Sequence, residues 1–251
     1  MRRWIATLGV GLMLSSSLAA EARTFQEIKK SGKIIAATEG QFPPFNFFKG
    51  GTLTGFEVDI AAAIAKKLGV TIEWKTLAFD SLLIGLSQDR YDFVVASHGI
   101  TPERSRAVLF TKPHYCTGGI IVANNKPVGK GALKQKIVAV QVGTSYVTAV
   151  QKEKLYKELK TLPKDTDALQ ALLAGRVDAW VSDRFVALEA AAKHPTLKVG
   201  ELLFTEQVGM AVALANSSLA DALNGALAEL KKDGSYGKLS QHYFNLDVSC
   251  P

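Results

Sequence analysis

The stretch Ser97-His98-Gly99-Ile100-Thr101-Pro102-Glu103-Arg104 comes after the apolar run at residues 91–96, which reads as a buried strand. Thr101 suits a helix N-cap, Pro102 the first helical position and Glu103 the first turn, so the spacing predicts a short helix beginning here. Where a strand ends and a helix starts, free backbone N–H groups point at whatever lies above the strand. Arg104 adds a planar cation shaped to grip a carboxylate at two points. By itself the stretch reads equally as an anion grip or as a surface turn whose arginine makes an ordinary salt bridge. Two further strand ends carry matching chemistry. Gln141-Val142-Gly143-Thr144-Ser145 is a small-residue turn opening a helix, and Val181-Ser182-Asp183-Arg184 ends a strand on an acid. One arginine, two turns rich in N–H groups and one carboxylate are what a zwitterion needs: the first three for its carboxylate, the last for its ammonium.

The elements that must position these groups alternate. Strand patterns cover residues 33–38, 70–76, 93–97 and 118–123, with helical patterns at 58–68 and 81–86 and a hairpin around Gly50-Gly51. After the polar segment 124–131 the alternation restarts: strands at 137–141, 159–162 and 179–182, helices from 143 to about 156, 167–174 and 185–193. Strands at 197–199 and 210–214 and helices at 218–232 and 236–244 complete the chain. Two βα series predict an α/β fold with mainly parallel sheets, in which a ligand sits beyond the carboxyl ends of the strands.

Composition narrows the class. Of 251 residues, 47% are hydrophobic and 21% charged, a globular balance. The formal charge of +7 is spread over scattered lysines with no basic stripe interleaved with aromatics, so no nucleic-acid partner is expected. The four histidines are scattered, which predicts no metal site, and no cofactor motif is present. Arg2 and Arg3, the apolar residues 4–14, the serines after them and Ala20-Glu21-Ala22 read as a secretory signal peptide over residues 1–22, cut after Ala22, without the cysteine of a lipid anchor. Export predicts an oxidising compartment, where Cys116 and Cys250, the two cysteines, either form one bridge or remain free thiols.

At these residues the chain resembles the family-3 extracellular solute-binding proteins, the polar amino-acid-binding proteins of ABC importers. The markers are Phe42-Pro43-Pro44-Phe45, Leu53-Thr54-Gly55-Phe56-Glu57-Val58-Asp59-Ile60, Ile100-Thr101-Pro102-Glu103-Arg104, Gly143-Thr144-Ser145 and Asp183. The resemblance implies a type II periplasmic-binding-protein fold, with two α/β lobes, two crossing hinge strands and ligand in the cleft between them. Lobe 1 is expected at 24–113 plus 211–251, lobe 2 at 119–205, and the hinges at 114–118 and 206–210. It further implies a periplasmic, monomeric protein whose partners are an amino acid and the membrane permease of an ABC importer.

Carried over by residue, Arg104 pairs with the ligand carboxylate, assisted by the N–H groups of Gly99 and Ser145. Asp183 pairs with the ammonium, as does the Ser97 carbonyl. Phe42 and Phe79 form aromatic walls. Glu39 lies by the ligand side chain, which favours arginine, lysine, histidine or glutamine. The family has Ser or Thr where this chain has Gly99. The missing hydroxyl removes one contact to the ammonium, worth about 0.5–1.5 kcal/mol. Either a water replaces it or the ligand is not a plain α-amino acid. His98 is expected to pack locally. The fold also implies that the C-terminal tail can return toward the hinge, bringing Cys250 near Cys116. The alternative function on the same fold is a dehydratase of the cyclohexadienyl or arogenate class, with Glu39 as general acid or base.

Overall fold

Local signals set the first elements. In the computed structural model, which describes residues 22–154 and 156–251, Thr24 opens helix α1 (Phe25–Ser31) with a capping box. The Thr24 hydroxyl accepts from the Glu27 N–H, and the Glu27 carboxylate accepts from the Thr24 N–H at 2.7 Å. Strand β1 (Lys33–Thr38) is next. The short strands β2 (Gln41–Phe42), β3 (Asn46–Lys49) and β4 (Thr52–Thr54) form an antiparallel flap, and the Pro43–Pro44 bond within it is cis. Then come α2 (Phe56–Leu68), β5 (Thr71–Thr76), α3 (Phe79–Ser87) and β6 (Phe93–Val94), a 3₁₀ turn at Arg104–Arg106, and β7 (Val108–Phe110). The chain crosses into β8 (Tyr115–Asn124) and continues through β9 (Ile137–Gln141), α4 (Ser145–Glu153), β10 (Glu158–Leu162), α5 (Asp165–Leu173), β11 (Ala179–Asp183), α6 (Arg184–Lys193) and β12 (Leu197–Val208). It returns through β13 (Ala211–Ala213) and ends in α7 (Ser217–Lys232) and α8 (Ser235–Phe244).

Among the described residues the long strands form two five-stranded sheets, ordered β5-β1-β6-β13-β7 and β10-β9-β11-β8-β12. Their pairing corrects one expectation. Four of the strand pairs in these sheets are parallel and four antiparallel, so the sheets are mixed rather than mainly parallel. The parallel pairs come from the βα units, as the alternation predicts. The antiparallel ones come from the crossing strands β8 and β12 and from the returning β13. Strand β12 joins the strand expected at 197–199 and the start of the hinge strand expected at 206–210 into one run. Two register shifts, between Val199 and Phe204, fall in the stretch between them.

Helices α2, α7 and α8 pack together on one side of the first sheet, while α5 and α6 cover one side of the second. An aromatic cluster joins the flap, the first crossing and the tail: Phe45 stacks on Tyr115 with ring centroids 4.7 Å apart and meets Phe244 at 5.3 Å. The tail is anchored to the same crossing. Tyr236 donates its hydroxyl to the His114 carbonyl, the Cys116 N–H donates to the Val248 carbonyl, and Cys116 and Cys250 are disulfide-bonded. Of the two states open to the cysteines, the structure has the bridge.

Candidate functional site

The strand ends at 97–104 and 141–145 meet at one cleft between the two sheets. Glu39, Phe42, Phe79, Ser97, Arg104 and Ser145 line a single small cavity. Gln141, Thr144 and Tyr146 complete its wall. Gly99 and Asp183, the other two residues expected in the site, do not line the cavity: Gly99 is joined to Arg104 through its carbonyl, and Asp183 is fully buried at the start of α6.

The 97–104 segment is built by a buried acid upstream. Ser97 has a left-handed backbone, φ 55°, which is costly for a residue with a Cβ. Glu57, on the first turn of α2, holds it there by accepting from the Ser97 N–H at 2.8 Å and from its hydroxyl at 2.9 Å. Thr101 then caps a turn by accepting from the Arg104 N–H at 3.2 Å. That turn leads into the single 3₁₀ turn at Arg104–Arg106, not into the α-helix the Thr-Pro-Glu signal predicts, because the chain must enter β7 two residues later.

Arg104 is oriented from several sides. Its guanidinium lies 5.7 Å from the centroid of the Phe79 ring, and the other neighbour of that ring is His98, stacked at 4.3 Å and 10°. His98 is thus packed locally, as expected. Arg104 donates from Nη1 to the Gly99 carbonyl at 2.8 Å and from Nη2, across the cleft, to the Gly143 carbonyl at 2.9 Å. Burial pulls its pKa down, with Glu206 opposing.

Opposite Arg104 stands the N-terminus of α4. Gly143 has φ 76°, a conformation glycine adopts without strain, and a Cβ there would press on Asp80 at 3.0 Å. Thr144 turns its hydroxyl back to the Gln141 carbonyl at 2.8 Å, so the first turn of α4 carries no side-chain cap. Uncapped N–H groups at a helix start favour an anion.

On the cavity wall Glu39 is buried, and its Oε1 accepts from Gln141 Nε2 at 2.6 Å, a second hydrogen bond across the cleft. Burial pushes its pKa up to about 8; the Gln141 bond only partly offsets this. Asp183 is fully buried. It caps α6 by accepting from the N–H groups of Phe185 and Val186, and also accepts from the Thr117 hydroxyl at 2.6 Å. Burial nevertheless raises it to about 7. Among the described residues that line the cavity Arg104 is the one cation.

Sequence patterns match this geometry with known proteins. The pattern of the bacterial extracellular solute-binding proteins, family 3, covers residues 34–246. The chain belongs to this family. It is 33% identical to the L-cystine-binding protein TcyJ of Escherichia coli K12, over 98% of this chain and 96% of that one. It is 34% identical to the putative ABC transporter arginine-binding protein 2 of the same organism, over 96% and 97%. A solved ancestral arginine-binding protein bound to arginine superposes with a TM-score of 0.80 at 37% identity, over 85% of this chain and 98% of that one. Solute-binding proteins of family 3 are extracellular by definition of the family, and the two-lobed α/β fold is shared with these neighbours.

Several site residues carry no local signal. Tyr146 is a helix residue like any other in the sequence, and Glu206 is one acid in a polar run. Gln141 stands in a recognised turn, yet its pairing with Glu39 spans 102 positions. Glu57 sits in a family marker, but nothing in sequence shows that its carboxylate serves Ser97.

Proposed function

We propose that this chain captures an L-amino acid with a cationic side chain, arginine foremost, outside the cytoplasm and delivers it to the permease of an ABC importer. The observation that carries this reading is Glu39. Its buried carboxylate lines the same cavity as Arg104, and the hydrogen bond it accepts comes from neutral Gln141. A guanidinium or ammonium there restores the ionised state that burial disfavours. Arg104, the Gly99 N–H and the α4 N-terminus at Ser145 take the ligand carboxylate. Asp183 and the Ser97 carbonyl take the ammonium, and Phe42 and Phe79 flank the aliphatic stem. Cystine, the ligand named for one relative, presents two carboxylates, whereas the cavity wall offers one arginine. A single-headed ligand is therefore preferred. Binding rather than dehydratase chemistry agrees with the relatives, which are named as binding proteins.

The remaining assignments belong to the same reading. The lobes run over 24–113 plus 211–251 and over 119–205, with hinges at 114–118 and 206–210. Support comes from the sheets, one built from strands at 33–110 and 211–213 and the other from strands at 115–208. The mature protein is periplasmic and monomeric. The signal peptide assigned to 1–22 lies almost wholly outside the described residues.

Calorimetry of the unfolded, washed and refolded protein tests the ligand. L-Arginine is expected to bind most tightly, lysine next, and aspartate and glutamate weakly. Preference for an acidic amino acid or for cystine would overturn the assignment. The site also predicts a pH dependence. Unliganded Glu39 holds its proton below about pH 8, and a cationic side chain beside it favours the ionised form. Binding therefore releases a proton, and affinity rises with pH up to that value. The expected result is a binding heat at neutral pH that varies with the ionisation enthalpy of the buffer, with the variation reduced in Glu39→Gln.

A further inference from the structure

Glu206 belongs to the crossing strand β12, and its place in the site is set by strand register. Gly99 lies opposite Val208 in an isolated antiparallel bridge, and the Ile100 N–H donates to the Gln207 carbonyl at 2.7 Å. This pairing brings the 97–104 segment against Glu206. A Cβ at position 99 would lie 2.1 Å from Glu206 Oε2 and 3.0 Å from its carboxyl carbon. Glycine at 99 is what admits the carboxylate. Neither a water nor an unusual ligand is needed to fill the space of the missing hydroxyl.

The surroundings of this carboxylate are those of a cation pocket. Its Oε2 accepts from the Ser145 hydroxyl at 2.7 Å, on the cavity wall. Burial pushes the Glu206 and Asp183 carboxyls up, and the charge of Glu206 adds to the rise at Asp183. The Tyr115 hydroxyl lies in the same surroundings. It is fully buried, with the Ser97 side chain as a polar neighbour. Burial raises its pKa, and the charges of Glu57, Asp183 and Glu206 raise it further. The charges of the Glu206 and Asp183 carboxylates oppose one another, a repulsion that a compact ammonium between them relieves.

We propose that Glu206 is a specificity-determining residue whose carboxylate receives the α-ammonium of the bound amino acid, beside Asp183, in the space left open by Gly99. The proposal rests on the reading that the cleft takes an amino acid, and it adds a second carboxylate to the amino end. Such a site selects for a free, charged α-amine and rejects ligands that lack it or carry it acylated.

The test compares L-arginine with desamino-arginine, which keeps the guanidinium and the carboxylate but lacks the α-amine. If wild type prefers lysine, lysine and desamino-lysine take their place. Glu206→Gln is expected to lose about tenfold to a hundredfold in affinity for the amino acid, the range of a hydrogen bond between charged groups, and to leave the desamino acid within about threefold. Gly99→Thr is expected to lose a similar amount, and adding Glu206→Ala to it recovers about tenfold as the crowding is relieved. Thermal unfolding checks that each variant is folded. Equal losses on both probes would assign Glu206 to Arg104 or Ser145 instead and overturn the proposal, as would unchanged arginine binding. Wild-type protein that binds no amino acid at all defeats the underlying reading, a result separable from the other two.

Discussion

Arg104→Ala is expected to lower affinity for L-arginine by roughly a hundredfold or more, because two charge-assisted hydrogen bonds to a carboxylate contribute about 1.5–3 kcal/mol each. Stability should scarcely change. In the structure the guanidinium donates to the carbonyls of buried Gly99 and exposed Gly143, and the space the side chain vacates lets water reach both. The stacked Phe79 and His98 remain packed on each other. Arg104→Lys keeps the charge but loses the planar fork, so it should recover only part of the affinity. Calorimetry and thermal unfolding on the same samples separate the two effects. An affinity unchanged in Arg104→Ala would remove this residue from the site.

Glu57→Ala is expected to have the opposite profile, a large loss of stability that carries binding down with it. Its carboxylate is fully buried and accepts from four donors: Asn46 Nδ2 at 2.9 Å, the Ser97 N–H at 2.8 Å, the Ser97 hydroxyl at 2.9 Å and His114 Nε2 at 2.9 Å. These donors come from the flap, the site segment and the residue just before the first crossing strand. Removing the acceptor strands them all in a place without water. The cost expected for breaking such a buried arrangement is about 3–5 kcal/mol. Ser97 is also freed from its left-handed backbone, so the residual folded protein should bind more weakly than stability alone explains. Denaturant unfolding measures the first effect, and a loss below about 1 kcal/mol would show that the hub is not needed for the fold.

The features legible in sequence are those whose cause is local. Gly143-Thr144-Ser145 announces a turn into a helix because glycine, a small hydroxyl and the start of an apolar period are adjacent. Arg104 and Asp183 are marked by their place at strand ends. What stayed hidden depends on pairing over distance. Glu206 meets Gly99 only because β12 continues to Val208 and registers against the site segment, a pairing that placing 206–210 in a hinge does not reveal. Glu57 is invisible as a hub for the same reason, since its partners lie 11, 40 and 57 positions away. The mixed sheets escape a reading of the alternation because antiparallel pairing by crossing strands leaves no trace in the order of helices and strands. The absence of a hydroxyl at position 99 is plain in the sequence, but the carboxylate that occupies its space is not.

A crystal structure with L-arginine bound would test the central claim most directly. The expected result places the ligand carboxylate on Arg104 and the N-terminus of α4, and the guanidinium within hydrogen-bond distance of Glu39, with the Gln141–Glu39 bond rearranged to admit it. A ligand seated in the reverse direction, or arginine bound outside the cleft with Glu39 still paired only to Gln141, would contradict it.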